Sequence, residues 1–186
     1  MPTTAYCNPD PEQPEVNPCI TEPAGVIAVA FIQEAAIASA STVDIENSAW
    51  WAARLAADTA YAIKYTKGSY DGPAWEVDEE GYGLASEEIK GAKHSLKYTH
   101  KGIHIGTSGA RTNIEFYNAI ALQAGTYRVV WVDSGLKLWV SHTPVTVKPQ
   151  ATNPQSKKEN NFWNVEVSWS HTGNPQTYDA PANLYS

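Results

Sequence analysis

Sulfur is scarce in this 186-residue chain, which has one methionine and two cysteines, Cys7 and Cys19. The two cysteines lack the C-x-x-C spacing of a redox motif. No histidine lies near them to complete a zinc site. Basic charge is also short: thirteen Lys and Arg face twenty Asp and Glu, for a net charge of −7. Wrapping a nucleic acid needs clustered cations that displace counterions, so that class is disfavoured. The most apolar stretch, Ala24 to Ala40, is broken by Gln33 and Glu34. It falls short of the roughly 20 apolar residues that span a bilayer. The start, MPTTAYC, has neither a basic cluster nor an apolar run, so Cys7 does not follow a signal peptide. The chain is therefore expected to be soluble, made in a cytoplasm and not bound to a membrane.

What is abundant is aromatic: seven Trp and ten Tyr. Flat rings suit pleated surfaces and point to a β-rich body. Residues 1–23 are Pro-rich and read as an extended N-terminal arm. Within it CNPDPEQPEVNPC closes a thirteen-residue ring between Cys7 and Cys19. A disulfide or close thiol pair is favoured there, worth about 3 kcal/mol in the chain-entropy model and less where prolines already stiffen the ring. Reduced thiols are the expectation inside a cell.

The body, residues 24–170, opens with GVIAVAFI (Gly25 to Ile32), a buried strand. A helix is expected near 48–60 with Ser48 as N-cap, and a second near 112–123 with Ile114, Tyr117 and Ile120 on one stripe. Tyr61 to Thr66 reads as a strand ending at a Lys67-Gly68 turn. Lys67 to Gly83, rich in Gly and carboxylates, reads as a long surface loop. Glu87 to Ile105 alternates as a long strand or hairpin arm. TYRVVWVD, LKLWVSH, PVTVKP and NFWNVEVSWS complete the β pattern, with a hairpin turn at Asp133-Ser134-Gly135. Residues 171–186 read as a C-terminal arm. The expected class is α+β, mainly β: a β-sandwich or barrel with two helices and an arm at each end.

Candidate chemistry is thin. His94, His100 and His104 would share one strand face, but along a straight strand they are too far apart for one metal and read as surface histidines. Asp78, Glu79, Glu80, Glu87 and Glu88 lack the alternation of a calcium loop and read as a solvated acidic loop. A glycosidase pair among them stays open. GTSGAR (Gly106 to Arg111) has neither a nucleophile elbow nor a phosphate-binding lysine. Trp75, Trp131, Trp139, Trp163 and Trp169 could form a sugar platform, though core packing is the plainer role. Trp50 and Trp51, adjacent on a helix, diverge by about 100°. One is expected to pack inside and the other, with Arg54, to anchor a partner. Tyr70, Asp71 and Trp75 are expected on a loop between subunits. No catalytic residue, metal or cofactor is expected.

The Cys- and Pro-rich start running into a strand (Cys7 to Ile32), the Trp50-Trp51 helix and the Gly68-Ser69-Tyr70-Asp71-Gly72 segment form one part of a wider pattern. Asn113-Ile114-Glu115-Phe116-Tyr117-Asn118 and the Trp163 to Trp169 strand leading to Asn174-Pro175 complete it. Together these resemble the tail and neck structural proteins, tail-tube-like, of phages infecting Bacteroidetes, including the crAss-like group. The resemblance implies a non-enzymatic virion protein that self-assembles into rings, hexameric or higher, or into a tube. Its partners would be its own copies and other virion proteins, with DNA only as passing cargo. A secreted or cell-surface carbohydrate-binding or adhesion module is the alternative.

Overall fold

The computed structural model describes residues 25–78, 88–102, 112–154 and 161–186. The expected N-terminal arm with Cys7 and Cys19 lies outside them. So do Glu79, Glu80, Glu87, His104 and the Gly106–Arg111 segment. The expected class is the one observed, α+β and mainly β. Among the described residues one eight-stranded antiparallel sheet runs in the order β6-β7-β3-β2-β1-β4-β5-β8 and is accompanied by four short helices.

Strand β1 (Val26–Gln33) is central, paired with β2 (Ala60–Asp78) on one edge and β4 (Tyr127–Asp133) on the other. Its unbroken apolar run has a simple cause: both faces are buried. Val29 and Phe31 join one cluster, while Ala28, Ala30 and Ile32 join a second.

The first cluster draws on β1, β2, β4, β3 (Glu88–Lys101), β6 (Thr146–Thr152), β7 (Phe162–Ser170) and a helix. The sheet coils around it. The Val145 N–H donates to the Tyr127 carbonyl (2.8 Å) and the Ser141 N–H to that of Val129 (2.9 Å), so β6 sets out from beside β4. The helix here is α4 (Asn113–Ala121), which puts Tyr117 and Ile120 inside. A capping box fixes its start: the Thr112 hydroxyl accepts from the Glu115 N–H, and the Glu115 carboxylate accepts from the Thr112 N–H.

The second cluster lies on the opposite face of β1 and β4 and reaches β5 (Lys137–Val140). It is covered by α1 (Glu34–Ile37), α2 (Thr42–Ile45) and α3 (Ser48–Ala56). The N-cap of α3 is Asn47, not Ser48, because the Asn47 side chain accepts from the Ala49 N–H at 2.8 Å. Among the described residues no helix is long and apolar enough to cross a membrane.

Two expectations need correction. Lys67 to Asp78 is not a loop but the continuation of β2, paired with β3. Gly68 is there for close approach rather than a turn: a Cβ at this position would overlap the Lys97 carbonyl and Tyr98 Cβ on β3. The C-terminal segment is not a free arm either. Gln176–Asp179 forms β8 on the edge of β5, and a 3-10 turn at Ala182–Leu184 buries Leu184 in the second cluster.

Replacing Trp51 with Ala should lower the unfolding free energy by about 3–5 kcal/mol, the usual cost of emptying a large buried site. Gly68→Ala should cost about 1–3 kcal/mol by overpacking. Urea denaturation of both variants, with midpoints indistinguishable from wild type, would refute this packing.

Candidate functional site

The residues most able to do chemistry sit at one end of the first cluster. His94, on β3, is fully buried and is not the surface histidine expected from alternation. Its Nε2 lies 2.8 Å from the His171 carbonyl, which can only accept, so Nε2 carries the proton. Nδ1 then accepts from the Tyr70 hydroxyl at 2.6 Å. The ring lies parallel to Trp169 at 5.2 Å, and Tyr70 packs on Trp131 at 4.9 Å. Gly72 makes this possible, since a Cβ there would overlap the Tyr70 ring and its hydroxyl. Burial pushes the Tyr70 phenol up to about 12, which keeps it a donor. Both imidazole nitrogens are engaged and the ring is enclosed, so His94 offers no lone pair to a substrate. It fastens β2, β3 and the segment after β7 together.

Next to it, His142 and His171 stack face to face, with centroids 4.0 Å apart and planes 3° from parallel. Parallel rings cannot converge on one metal ion. Among the described residues no group of three or more His, Cys, Asp or Glu is placed to hold one. The His171 Nδ1 accepts from the Gly173 N–H at 2.9 Å. His142 has its pKa lowered by burial first, then by His171, His94 and Arg128. His100 contacts the Tyr117 hydroxyl at 3.1 Å, and burial lowers its pKa.

The tryptophans divide. Trp131, Trp163 and Trp169 are core rings, and Trp139 is half-buried, stacked parallel on Trp131 at 6.1 Å. Trp51 is buried, with its Nε1 donating to the Ile45 carbonyl at 2.7 Å. Trp50 is half-buried, edge-on to Trp51 at 5.2 Å, and the Arg54 guanidinium lies 4.5 Å above its ring. Of the residues expected on an inter-subunit loop, Tyr70 is in the interior network. Asp71 is on the outer face of β2 beside Lys97, and Trp75 is 50% exposed. All three belong to β2, not to a loop.

Trp75 marks the feature that most sets the molecule apart. Pairing of β1 with β2 ends at Gly68, and that of β7 with β3 ends at Lys93. The His171 N–H still reaches the Ala92 carbonyl at 2.9 Å, and beyond it, among the described residues, Glu76 to Asp78 pairs only with Glu88 to Gly91. A two-stranded ribbon therefore continues past the body by about 10 Å of paired strand.

Compared with known proteins, the chain matches no family model, no curated protein and no solved structure.

Sequence alternation places His94 on a strand but leaves Tyr70 on an expected loop, and it does not find their contact, since no local pattern links residues 70, 94 and 171.

The lowered His100 and His142 values set a direction for pH. Their charged forms are favoured in the unfolded chain, where the ordinary value is 6.5. The stability they contribute is complete above that value and is lost as pH falls through the lower folded values. The urea midpoint should therefore decline below pH 6.5, and His100→Gln with His142→Gln should flatten that decline; an unchanged slope would contradict the assignment.

Proposed function

We propose that this protein is a non-enzymatic structural subunit that assembles with copies of itself into rings or a tube, as a tail or neck component of a phage virion. The observation that carries the reading is the projecting β2–β3 ribbon. A two-stranded ribbon in water is marginal by itself and gains stability by lying against another surface. Trp75 at its base is half-exposed, the kind of ring that anchors interfaces.

Two further features support it. Among the described residues β6 and β8 are each paired on one side only, leaving two sheet edges open to a neighbour. Among the described residues, His94 and most of the tryptophans are packed into the interior. In this reading DNA is cargo passing through the assembly, and the other partners are virion proteins.

A second reading, carbohydrate binding, is favoured by one specific cleft. It holds about 590 Å³ at the β4–β5 turn and is lined by Trp139 and Tyr178 with Asp133, Lys137, Asp179 and Glu46. Aromatic rings beside hydrogen-bonding groups suit a sugar. Here, though, Asp133 accepts from Trp139 Nε1 and Lys137 pairs with Asp179, so these polar groups already serve one another.

Negative-stain microscopy of the purified chain should show rings or tubes. A variant joining Trp75 to Ala92, its register partner, through Asn-Gly should keep the wild-type urea midpoint and form no such particles. A wild-type protein that stays monomeric when concentrated, and binds a glycan in a manner abolished by Trp139→Ala, would replace the assembly reading with the second.

A further inference from the structure

The protein is acidic overall, yet one face of its sheet is basic. On the outer side of β2, β3, β7 and β6, Lys67, Lys93, Lys97, Lys101 and Lys148 are exposed, against three carboxylates that the register puts on that side, Asp71, Glu76 and Glu166. The register aligns them. Ser69, Lys97, Glu166 and Lys148 form one row across four strands, and Lys67, Thr99, Asn164 and Gln150 form the next. A shallow groove of about 590 Å³ follows these rows.

The face keeps an excess of lysine, five against three carboxylates, with Glu166 in register between Lys97 and Lys148. Lys97 reaches Asp71 at 3.7 Å, with both side chains more than half exposed. Among the described residues no other of the five lysines takes part in an ion pair. Nor does any described helix cover the face, since α1, α2 and α3 pack over β1 and β4 and α4 lies within the coil. Cations gathered on adjacent strands repel one another, and an anionic occupant relieves that repulsion.

The chain itself contains a matching occupant. From Asp78 to Glu88 it carries five carboxylates, Asp78, Glu79, Glu80, Glu87 and Glu88, and no basic residue. Asp78 and Glu88 are register partners at the far end of the projecting ribbon. Along β3 Glu88 is nine residues from Lys97, about 30 Å of strand, so the Asp78–Glu88 pair itself lies beyond side-chain reach of the Lys97 row.

We infer that the acidic end of the ribbon in one copy docks on the Lys67, Lys97 and Lys148 face of the next copy. This rests on the self-assembly reading and names the contact that builds the assembly. Two different surfaces meet, so the contact runs head to tail. Such contacts close into a ring or continue as a filament, depending on the rotation at each step. Being electrostatic and exposed, the contact is screened over a Debye length of about 8–10 Å at ordinary salt and weakens as salt rises.

Sedimentation velocity on the full chain tests this with two charge-reversed variants, Lys97→Glu with Lys148→Glu, and Asp78→Lys with Glu88→Lys. Lys67→Glu with Lys148→Glu serves as a second lysine-face variant should the first lose its fold by circular dichroism. Each variant alone should need a concentration higher by about tenfold or more to assemble, the scale of a lost charge contact in an interface. An equimolar mixture of a lysine-face variant with the ribbon variant should assemble near the wild-type concentration, because reversed surfaces then meet reversed partners. Wild-type assembly should also fade at high salt. If wild type assembles while both variants do so at the same concentration, the docking contact is wrong and the self-assembly reading stands. Variants that fail singly and are not rescued by mixing also overturn the contact. A wild type that is monomeric at every concentration and salt overturns both.

Discussion

Everything in this fold is hung on β1. It is hydrogen-bonded along both edges and buried on both faces, so it belongs at once to the coiled interior and to the helix-covered layer. The two faces have different residue sizes for a physical reason. Toward the coil, Val29 and Phe31 fill space between strands that curve away from one another. Toward the helices, Ala28 and Ala30 let Trp51 and its neighbours approach closely. Exchanging large for small across β1 would empty one cluster and overfill the other, since interiors are packed to a density that leaves little slack.

Much of this architecture is legible in the sequence where a local pattern carries the cause. The unbroken apolar run of β1 reflects burial on both sides, and the alternation from Trp163 to Trp169 reflects burial on one. Thr112 and Glu115 announce the start of α4 because the capping box is complete within four residues. What fails is what depends on distant partners. Gly68 looks like a turn residue until β3 is laid against it, and Gly72-Pro73 looks like a loop until it is seen at a register shift between two continuing strands. His94 looks like a surface residue because the face that buries it is supplied by Trp169 and Tyr70. The tail after Ser170 is polar and proline-bearing, yet a short strand and a single leucine are enough to dock it.

Charge gives the same lesson at larger scale. A net value of −7 describes the chain as a sum and hides its arrangement. The fold sorts five lysines onto one side of a sheet of four adjacent strands, while Asp78 and Glu88 pair at the far end of β2 and β3. What decides the partner of a surface is the potential over that surface, not the total for the molecule.

The strand order also sets a schedule. Val29 lies beside Trp131, more than a hundred residues further along the chain, and β3 gains its second neighbour only when β7 has been made. Pairings of such long range fold slowly, because the loop entropy is spent before the contacts are formed. A nascent chain therefore carries its ribbon strands well before the strand that flanks them arrives. The lysine rows exist as a surface only after β6 and β7 are in place. The lysine-bearing face is thus among the last features the described chain completes, because it needs a strand from each end of the sequence order.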